Sequence, residues 1–331
     1  MQRVVIIGAG ISGLYLAMLL QKKFDIVILE ARERIGGRAF TVNGHDLGPS
    51  WIWPHQKKIL QLIERLELEI FSQYSDGYAL YQSDTVQRFI PESKATSYRI
   101  RAGMGALCDA LAKKLTSVDM QFSSTVIEIV QDREGLKVFS SDRSYNTDIV
   151  INTLPPRLAS KLSYTPVLAP KIYEKLQNTP TWMGYIIKVV VSYKQAFWRE
   201  EGLSGFAFSH TGPLGEIHDA TTQEEAALFG FASVKNLSNV TEENIIDQLC
   251  TLFGEKARAY SKIYILNWND EIYTATQEDK QILSAHPNYG YELCAMNDRL
   301  YFASTESSYD NGGYIEGALA AAEKIAQKLL S

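Results

Sequence analysis

Short apolar runs and helix-spaced apolar positions alternate from the first residues of the chain. Arg3 to Ile7 is a β-branched run of the kind buried in a parallel sheet. Ile11 to Lys23 has helical spacing and Asp25 to Leu29 is a second apolar run, so the opening thirty residues predict a strand–helix–strand unit. Lys57 to Ile70 carries Ile59, Leu60, Ile63 and Leu66 on one helical face. Gly77 to Phe89 alternates as a single strand, Tyr98 to Gly105 is irregular, and Leu107 to Leu115 is helical. Val126 to Val130, Leu136 to Ser140 and Asp148 to Asn152 predict three strands. Pro155-Pro156, followed by Pro166 and Pro170, marks a crossing between domains or a helix start. Met183 to Tyr193, Ser204 to Ser209 and Ala226 to Ser233 read as strands, and Glu242 to Phe253 as a helix. Leu300 to Ser304 is a short strand, after which Gly312-Gly313 opens a final helix.

A length of 331 residues predicts about two domains. With 46% hydrophobic and 21% charged residues the chain can build a core large enough to shelter a sizeable ligand. A net charge of -5 with no basic run argues against nucleic acid or an anionic membrane surface as partner. Cys108, Cys250 and Cys294 are odd in number and far apart, which fits neither a disulfide framework nor a zinc knuckle and predicts a reducing, cytoplasmic setting. Glycines interrupt the apolar N-terminus, against a signal peptide, and no apolar stretch reaches the ~20 residues of a membrane span. His45, His55, His210, His218 and His286 are scattered without metal-ligand spacing and read as ordinary surface or loop residues; no metal is expected.

The chemistry is concentrated at the N-terminus. Val4-Val5-Ile6-Ile7-Gly8-Ala9-Gly10-Ile11-Ser12-Gly13 is Gly-x-Gly-x-x-Gly between a buried strand and a helix, the context that gives this otherwise weak pattern its meaning. Gly8 permits the tight turn, Gly10 lets backbone approach a pyrophosphate, and Gly13 brings helix and strand together, with Ser12 beside the phosphates. Glu30, at the end of the second run, suits hydrogen bonding to ribose hydroxyls and disfavours a 2′-phosphate.

The stretch Glu30-Ala31-Arg32-Glu33-Arg34-Ile35-Gly36-Gly37-Arg38 resembles the segment that follows the second strand in the flavin-containing monoamine oxidase family, and Asp46-Leu47-Gly48-Pro49-Ser50-Trp51-Ile52 is similar to that family's next segment, beside the flavin ring. Pro49 stands where the family usually has Gly. Arg101-Ala102-Gly103-Met104-Gly105, Ser123 to Ile129 and Ile151 to Pro156 continue the resemblance. It implies FAD contacts at Glu30, Ala31, Arg32, Gly37, Arg38, Gly48, Ser50 and Trp51, with Arg38 on the pyrophosphate and Val126 on the adenine.

Met183 to Val191 is apolar except for Lys188. A buried ammonium is costly, so this lysine either faces water from an edge strand or matches the family lysine that holds a water near the reactive flavin nitrogen. Leu300 to Glu306 followed by Gly312 to Ala318 resembles the family's closing motif. The resemblance then gives Glu306 a ribityl hydroxyl, and aims the helix after Gly313, Tyr314 and Ile315 at the flavin's pyrimidine edge, where its positive end would stabilise an anionic reduced ring. Tyr314 is either the family's substrate-facing aromatic or a core tyrosine; Tyr289 is its candidate partner, and Trp268 matches the tryptophan that begins that region. Where some relatives link FAD through a cysteine, this chain offers Gln277 or Asn288, so FAD is expected to bind non-covalently.

The expectation is an α/β protein: a Rossmann-like FAD-binding domain with a central parallel sheet at 1–56, 99–160 and 263–331, and a smaller sheet-based substrate domain at 57–98 and 161–262. Fewer than fifty residues separate Trp53 from Arg101, where the family spends far more on helices lining the substrate cavity. The expected activity is oxidation of an amine C–N bond by hydride transfer to flavin, with Lys188, Tyr314 and Tyr289 at the reacting end and O2 as electron acceptor. Alternatives are desaturation, oxidation of a nicotinamide-type molecule, or a non-catalytic FAD-binding module.

Overall fold

The structure, a computed structural model, describes residues 1–92 and 96–331; positions 93–95 of the expected segment 57–98 lie outside the described residues. A six-stranded sheet runs in the order Cys294–Ala295, Leu300–Phe302, Ile149–Asn152, Arg3–Ile7, Asp25–Leu29, Val118–Gln121. All its neighbours are parallel except the first pair. Val5 sits in register between Val150 and Val27. The period of two along Arg3–Ile7 sends Val4 and Ile6 to one face and Val5 and Ile7 to the other. Because both faces are covered, the strand reads as an unbroken apolar run.

On the first face the helices Ile11–Leu20, Lys57–Arg65, Gly105–Lys113 and Ile315–Leu330 share one apolar cluster with Ile6, Ile28 and Ile151. On the second, Val5, Val27 and Val150 pack with a four-stranded sheet ordered Ser144–Thr147, Leu136–Ser140, Val126–Gln131, Ser163–Thr165. A separate seven-stranded sheet is ordered Lys262–Asn267, Ile186–Tyr193, Ala226–Ser233, Glu216–Asp219, Leu203–Ser209, Tyr78–Gln82, Val86–Phe89. Its back face buries Ile187, Val189 and Val191 under the helix Glu242–Phe253. Its front face carries Lys188, Val190, Phe229 and Phe231 toward Trp51. The protein is thus α/β with a central parallel sheet, as expected.

Several elements differ from the sequence reading. The helix expected to reach Ile70 stops at Arg65. There Glu67 takes φ +56° and the Leu68 N–H bonds back to the Ile63 carbonyl at 3.0 Å, which ends the helix and frees Ile70–Ser72 to pair with Tyr98–Ile100. The single strand expected over Gly77 to Phe89 is a hairpin, Tyr78–Gln82 and Val86–Phe89, because alternation of polarity passes unchanged through a tight turn. Pro156 and Pro170 each occupy a first helical turn, at Pro156–Lys161 and Pro170–Asn178, so of the two readings of Pro155-Pro156 it is a helix start that the structure shows. The helix Lys57–Arg65 lies in the core beneath the parallel sheet, not with the seven-stranded one. No helix among the described residues is long and apolar enough to cross a membrane.

Candidate active site and cofactor cleft

A cavity of about 660 Å³ opens outside the carboxyl ends of Arg3–Ile7, Asp25–Leu29 and Ile149–Asn152 and extends to the front of the seven-stranded sheet. At its first end the glycine loop has three different jobs. Gly8 adopts φ +102°, which a side chain resists. Gly10 lines the cavity, and a Cβ added there would meet no protein atom within 4 Å. Gly13 is off the wall: its Cβ would lie 2.0 Å from the Gly8 carbonyl oxygen, so it serves the packing of helix on strand. The helix Ile11–Leu20 has no side-chain cap and no acid in its first turn, so its positive end faces the cavity uncompensated at Gly10 to Ser12.

Glu30 is buried on the same wall. Its two oxygens accept the N–H groups of Ala9 at 2.8 Å and Arg32 at 2.9 Å. Arg32 turns away to Glu271 Oε2 at 2.8 Å and Thr274 Oγ1 at 2.9 Å, and lies over the Tyr273 ring. This clasp brings a loop absent from the sequence reading, Ile272 to Thr274, onto the cavity beside Ala31 and Val126.

Arg38 and Glu306 meet each other. Arg38 Nη1 and Nη2 donate to the two carboxylate oxygens at 2.6 and 3.2 Å, a bidentate pair in which Glu306 is fully buried. Arg38 and Gly37 line the cavity, whereas Glu306 lies behind it.

At the far end the loop after His45 is pinned at every step. Asp46 accepts from Thr41 Oγ1 and the Met104 N–H, the Leu47 carbonyl accepts from Trp268 Nε1 at 2.8 Å, and Trp51 Nε1 donates to Gln73. Lys188 Nζ donates to the Gly48 carbonyl at 2.7 Å and to Ser50 Oγ at 2.6 Å. Its strand lies between two others and the side chain is 2% exposed, so the edge-strand reading fails. Burial lowers the Lys188 pKa to about 7, with Asp46 opposing and Arg99 adding to the fall. Gly48, Ser50, Trp51, Lys188 and Trp268 all line the cavity.

Gly313, Tyr314 and Ile315 bring the start of the helix Ile315–Leu330 to the same end, and no side chain caps it. The Tyr314 ring meets Trp53 edge-on at 5.7 Å, so it is a wall residue and not only core. Tyr289 is off the wall: its hydroxyl donates to the Pro180 carbonyl at 2.8 Å. The ring stacked on Tyr314 is His286, at 5.3 Å and 7°, with Trp182 against it at 4.5 Å. Trp53, Trp182, Phe231 and Glu216 complete this end and were not singled out as site residues from the sequence. Nor are all histidines surface residues. His45 is 1% exposed against Glu225, and His218 is sandwiched between Phe206 and Phe229.

The residues fit FAD. Two uncapped helix ends face one elongated cavity, an open space stands at Gly10, and the volume lies within the roughly 300–1,000 Å³ of ligand sites. None of the three cysteines lines it, which agrees with non-covalent binding.

Comparison with known proteins places the chain. A family model described as flavin containing amine oxidoreductase matches residues 87–330, about three quarters of the sequence. The chain belongs to the flavin-containing amine oxidoreductases. An NAD(P)-binding Rossmann-like domain matches residues 6–66 of this amine oxidoreductase, the strand, glycine loop and helix described above. It is 25% identical to flavin-containing amine oxidase B of Homo sapiens, over 99% of this chain and 86% of that protein. To flavin-containing amine oxidase A of Canis lupus familiaris it is 24% identical, over 99% and 85%. The alignment to the human protein spans 460 positions against 331 residues here, so the relative carries segments that this chain lacks. Among solved structures, a wild-type putrescine oxidase bound to putrescine superposes with a TM-score of 0.84 at 19% identity, covering 99% of both chains. Cyclohexylamine oxidase from Brevibacterium oxydans IH-35A gives 0.82 at 20%, covering 100% of both. Both share the fold of this FAD enzyme.

Proposed function

We propose that this FAD enzyme oxidises a C–N bond of a small amine at the Lys188 end of the cavity and passes the electrons to dioxygen. The observation that carries the reading is Lys188: an ammonium buried in an apolar sheet face, aimed at the segment Gly48–Ser50 and enclosed by Trp51, Phe229 and Phe231. Bound non-covalently, the flavin would accept a hydride from the amine-bearing carbon, water would hydrolyse the resulting imine, and O2 would leave as hydrogen peroxide.

The chain's own groups supply the setting. Gly8, Gly10 and Ser12 with the first helix hold the pyrophosphate, Gly13 packs that helix, and Glu30, Ala31, Arg32 and Val126 hold the adenosine half. Gly48, Ser50, Trp51, Trp268, Gly313 and Ile315 would surround the ring, with Gly37 and Arg38 toward the pyrophosphate and Glu306 acting through Arg38. Lys188 positions a water or proton near the reacting atoms, and its depressed pKa lets it change charge near neutrality. Tyr314 orients the amine; Tyr289, edge-on to His286 at 5.3 Å, supports the ring stacked on Tyr314. The apolar walls favour the neutral amine, the form that can lose hydride.

The division into an FAD domain and a substrate domain is part of the same reading, supported by the separate apolar clusters of the two large sheets. A cytoplasmic setting is supported by three unpaired cysteines. The test is an absorbance spectrum of the purified protein before and after anaerobic addition of a panel of amines. Bleaching of flavin bands by an amine, reversed by air, is expected; flavin that no amine reduces would move the function to another substrate class.

A further inference from the structure

Lys188 Nζ has two hydrogen-bond acceptors, the Gly48 carbonyl at 2.7 Å and Ser50 Oγ at 2.6 Å. An ammonium carries three N–H donors and a neutral amine two. A third hydrogen would find only the faces of Phe229 and Phe231, whose centroids are 4.4 and 5.7 Å away. The neighbouring strands set Phe231 and Leu266 opposite Lys188, so its cross-strand partners carry no charge. The acceptor count is therefore that of a neutral amine, with its lone pair free at the cavity wall.

Two charged side chains flank the loop that Lys188 grips. Asp46 lies two residues before Gly48. Arg99 follows Tyr98, which exchanges both backbone hydrogen bonds with Ile52, two residues after Ser50. Both side chains belong to buried residues, each 3% exposed. Asp46 Oδ1 accepts from Thr41 Oγ1 and the Met104 N–H, and its Oδ2 meets no donor among the described residues. Arg99 lies over the Phe71 ring and reaches the Thr221 carbonyl through Nη1 at 3.4 Å, and its Nε meets no acceptor among them. The other charged groups packed around the loop are partnered at contact: Asp219 with Arg199, Glu225 with His45 and Glu216 with His218. Asp46 and Arg99 enter no salt bridge among the described residues.

A pair of charges in contact is a dipole whose field fades quickly. Separate buried charges act over several ångströms, because the protein interior screens them weakly. Burial is the largest influence that lowers the Lys188 pKa; Asp46 opposes it and Arg99 adds to it. Burial lowers Arg99 as well, with Asp46 its chief counterweight. With Lys188 neutral, the charges of Asp46 and Arg99 balance. With Lys188 protonated, an uncompensated positive charge stays inside the protein, which is costly.

We propose that Asp46 and Arg99 are positioning residues of the reaction: two opposed charges, balanced across the loop Gly48–Ser50, that hold Lys188 as a neutral amine whose lone pair can take a proton at the substrate end of the cavity. The proposal deepens the amine-oxidising reading above and rests on it for the source of that proton.

The charge is tested without FAD, by urea unfolding across about pH 5 to 11. Lys188→Met is compared with its parent in wild type, Arg99→Met, Arg99→Lys and Asp46→Asn. The stability gained by Lys188→Met starts to fall at the pH where Lys188 of the folded chain loses its proton, about 7 in wild type. In Arg99→Met that onset should rise by about one pH unit, because a repelling charge is gone. Asp46→Asn keeps Oδ1 and changes only the unpartnered oxygen, and should lower the onset by about one unit. Arg99→Lys keeps the charge and should return the onset to that of wild type. A merely structural Arg99 would lower stability at every pH and leave the onset in place. With FAD bound, the pH limb of flavin reduction at saturating amine should move in the same two directions. An onset that stays in place in either Arg99→Met or Asp46→Asn, or moves the same way in both, overturns the proposal. If Arg99→Met does not fold, Asp46→Asn decides alone. Flavin that no amine reduces overturns the amine reading, and the unfolding onset still decides the charge of Lys188.

Discussion

At Gly10 an added methyl would meet no protein atom within 4 Å, and at Gly13 it would lie 2.0 Å from the Gly8 carbonyl oxygen. Two glycines of one motif therefore answer to different partners. Gly10→Ala should leave the melting temperature of FAD-free protein unchanged and weaken FAD binding by about 10- to 100-fold, since the methyl takes ligand space. Gly13→Ala should cost about 1–3 kcal/mol of folding stability before any FAD is added. Thermal melts with and without FAD separate the two. Lys188 supplies a second contrast. Its folded pKa, about 7, lies below the ordinary 10.5. Between those values the unfolded chain keeps a proton that the folded chain has released, so this group makes stability rise with pH. Below about 7 both states are protonated and the full burial cost applies. Lys188→Met should accordingly gain most over wild type in urea unfolding at pH 6, lose that advantage toward pH 10, and slow both flavin reduction and reoxidation. Unchanged flavin rates would remove Lys188 from the chemistry.

Among the helices, the carboxylate of one caps another. The helix Lys57–Arg65 has no side-chain cap of its own. Glu316, in the first turn of the last helix, accepts the Lys58 N–H at 3.0 Å and the Ile59 N–H at 2.9 Å. The same contact fixes the start of the last helix, where Tyr314 meets Trp53. Glu316→Ala should destabilise by about 1–2 kcal/mol in urea unfolding. Glu316→Gln, which keeps one acceptor, should recover part of it. The place of this helix in the core beneath the parallel sheet was not legible in the sequence. Amphipathic spacing puts Ile59, Leu60, Ile63 and Leu66 on one apolar face but does not say which sheet that face meets.

At the nucleotide end of the cofactor cleft Arg32 ties two distant segments together. It anchors Glu271 and Thr274 while its N–H bonds to Glu30, so the nucleotide end of the cavity is clasped by the segment that follows the strand Lys262–Asn267. Arg32→Ala should raise the FAD dissociation constant about tenfold, by opening this clasp, and shrink the rise in melting temperature that FAD confers. Fluorescence titration of the FAD-free protein would measure it; an unchanged constant would show that the loop covers the cleft without holding the nucleotide. With relatives carrying segments that this chain lacks, the walls of the substrate end fall to the sheet face itself and to Trp51, Trp53 and Trp182.

By itself the sequence determined the elements whose signals are local. The strand, glycine loop and helix at Arg3 to Leu20, the lone lysine in the apolar strand Ile186–Tyr193 and the helix Glu242–Phe253 were all legible, because apolar period, turn chemistry and a misplaced charge are written in consecutive residues. Gly10, Glu30 and Lys188 followed from them, Trp51 and Tyr314 from the family resemblance those segments carry, and all five line one cavity. Tertiary structure alone decided what meets across the fold. It paired Arg38 with Glu306, set His286 and not Tyr289 on Tyr314, and buried His45 and His218. It also set Lys188, Phe231 and Glu216 in register across three strands. Register is a relation between strands distant in the chain, and a shift of one residue would turn every side chain to the opposite face.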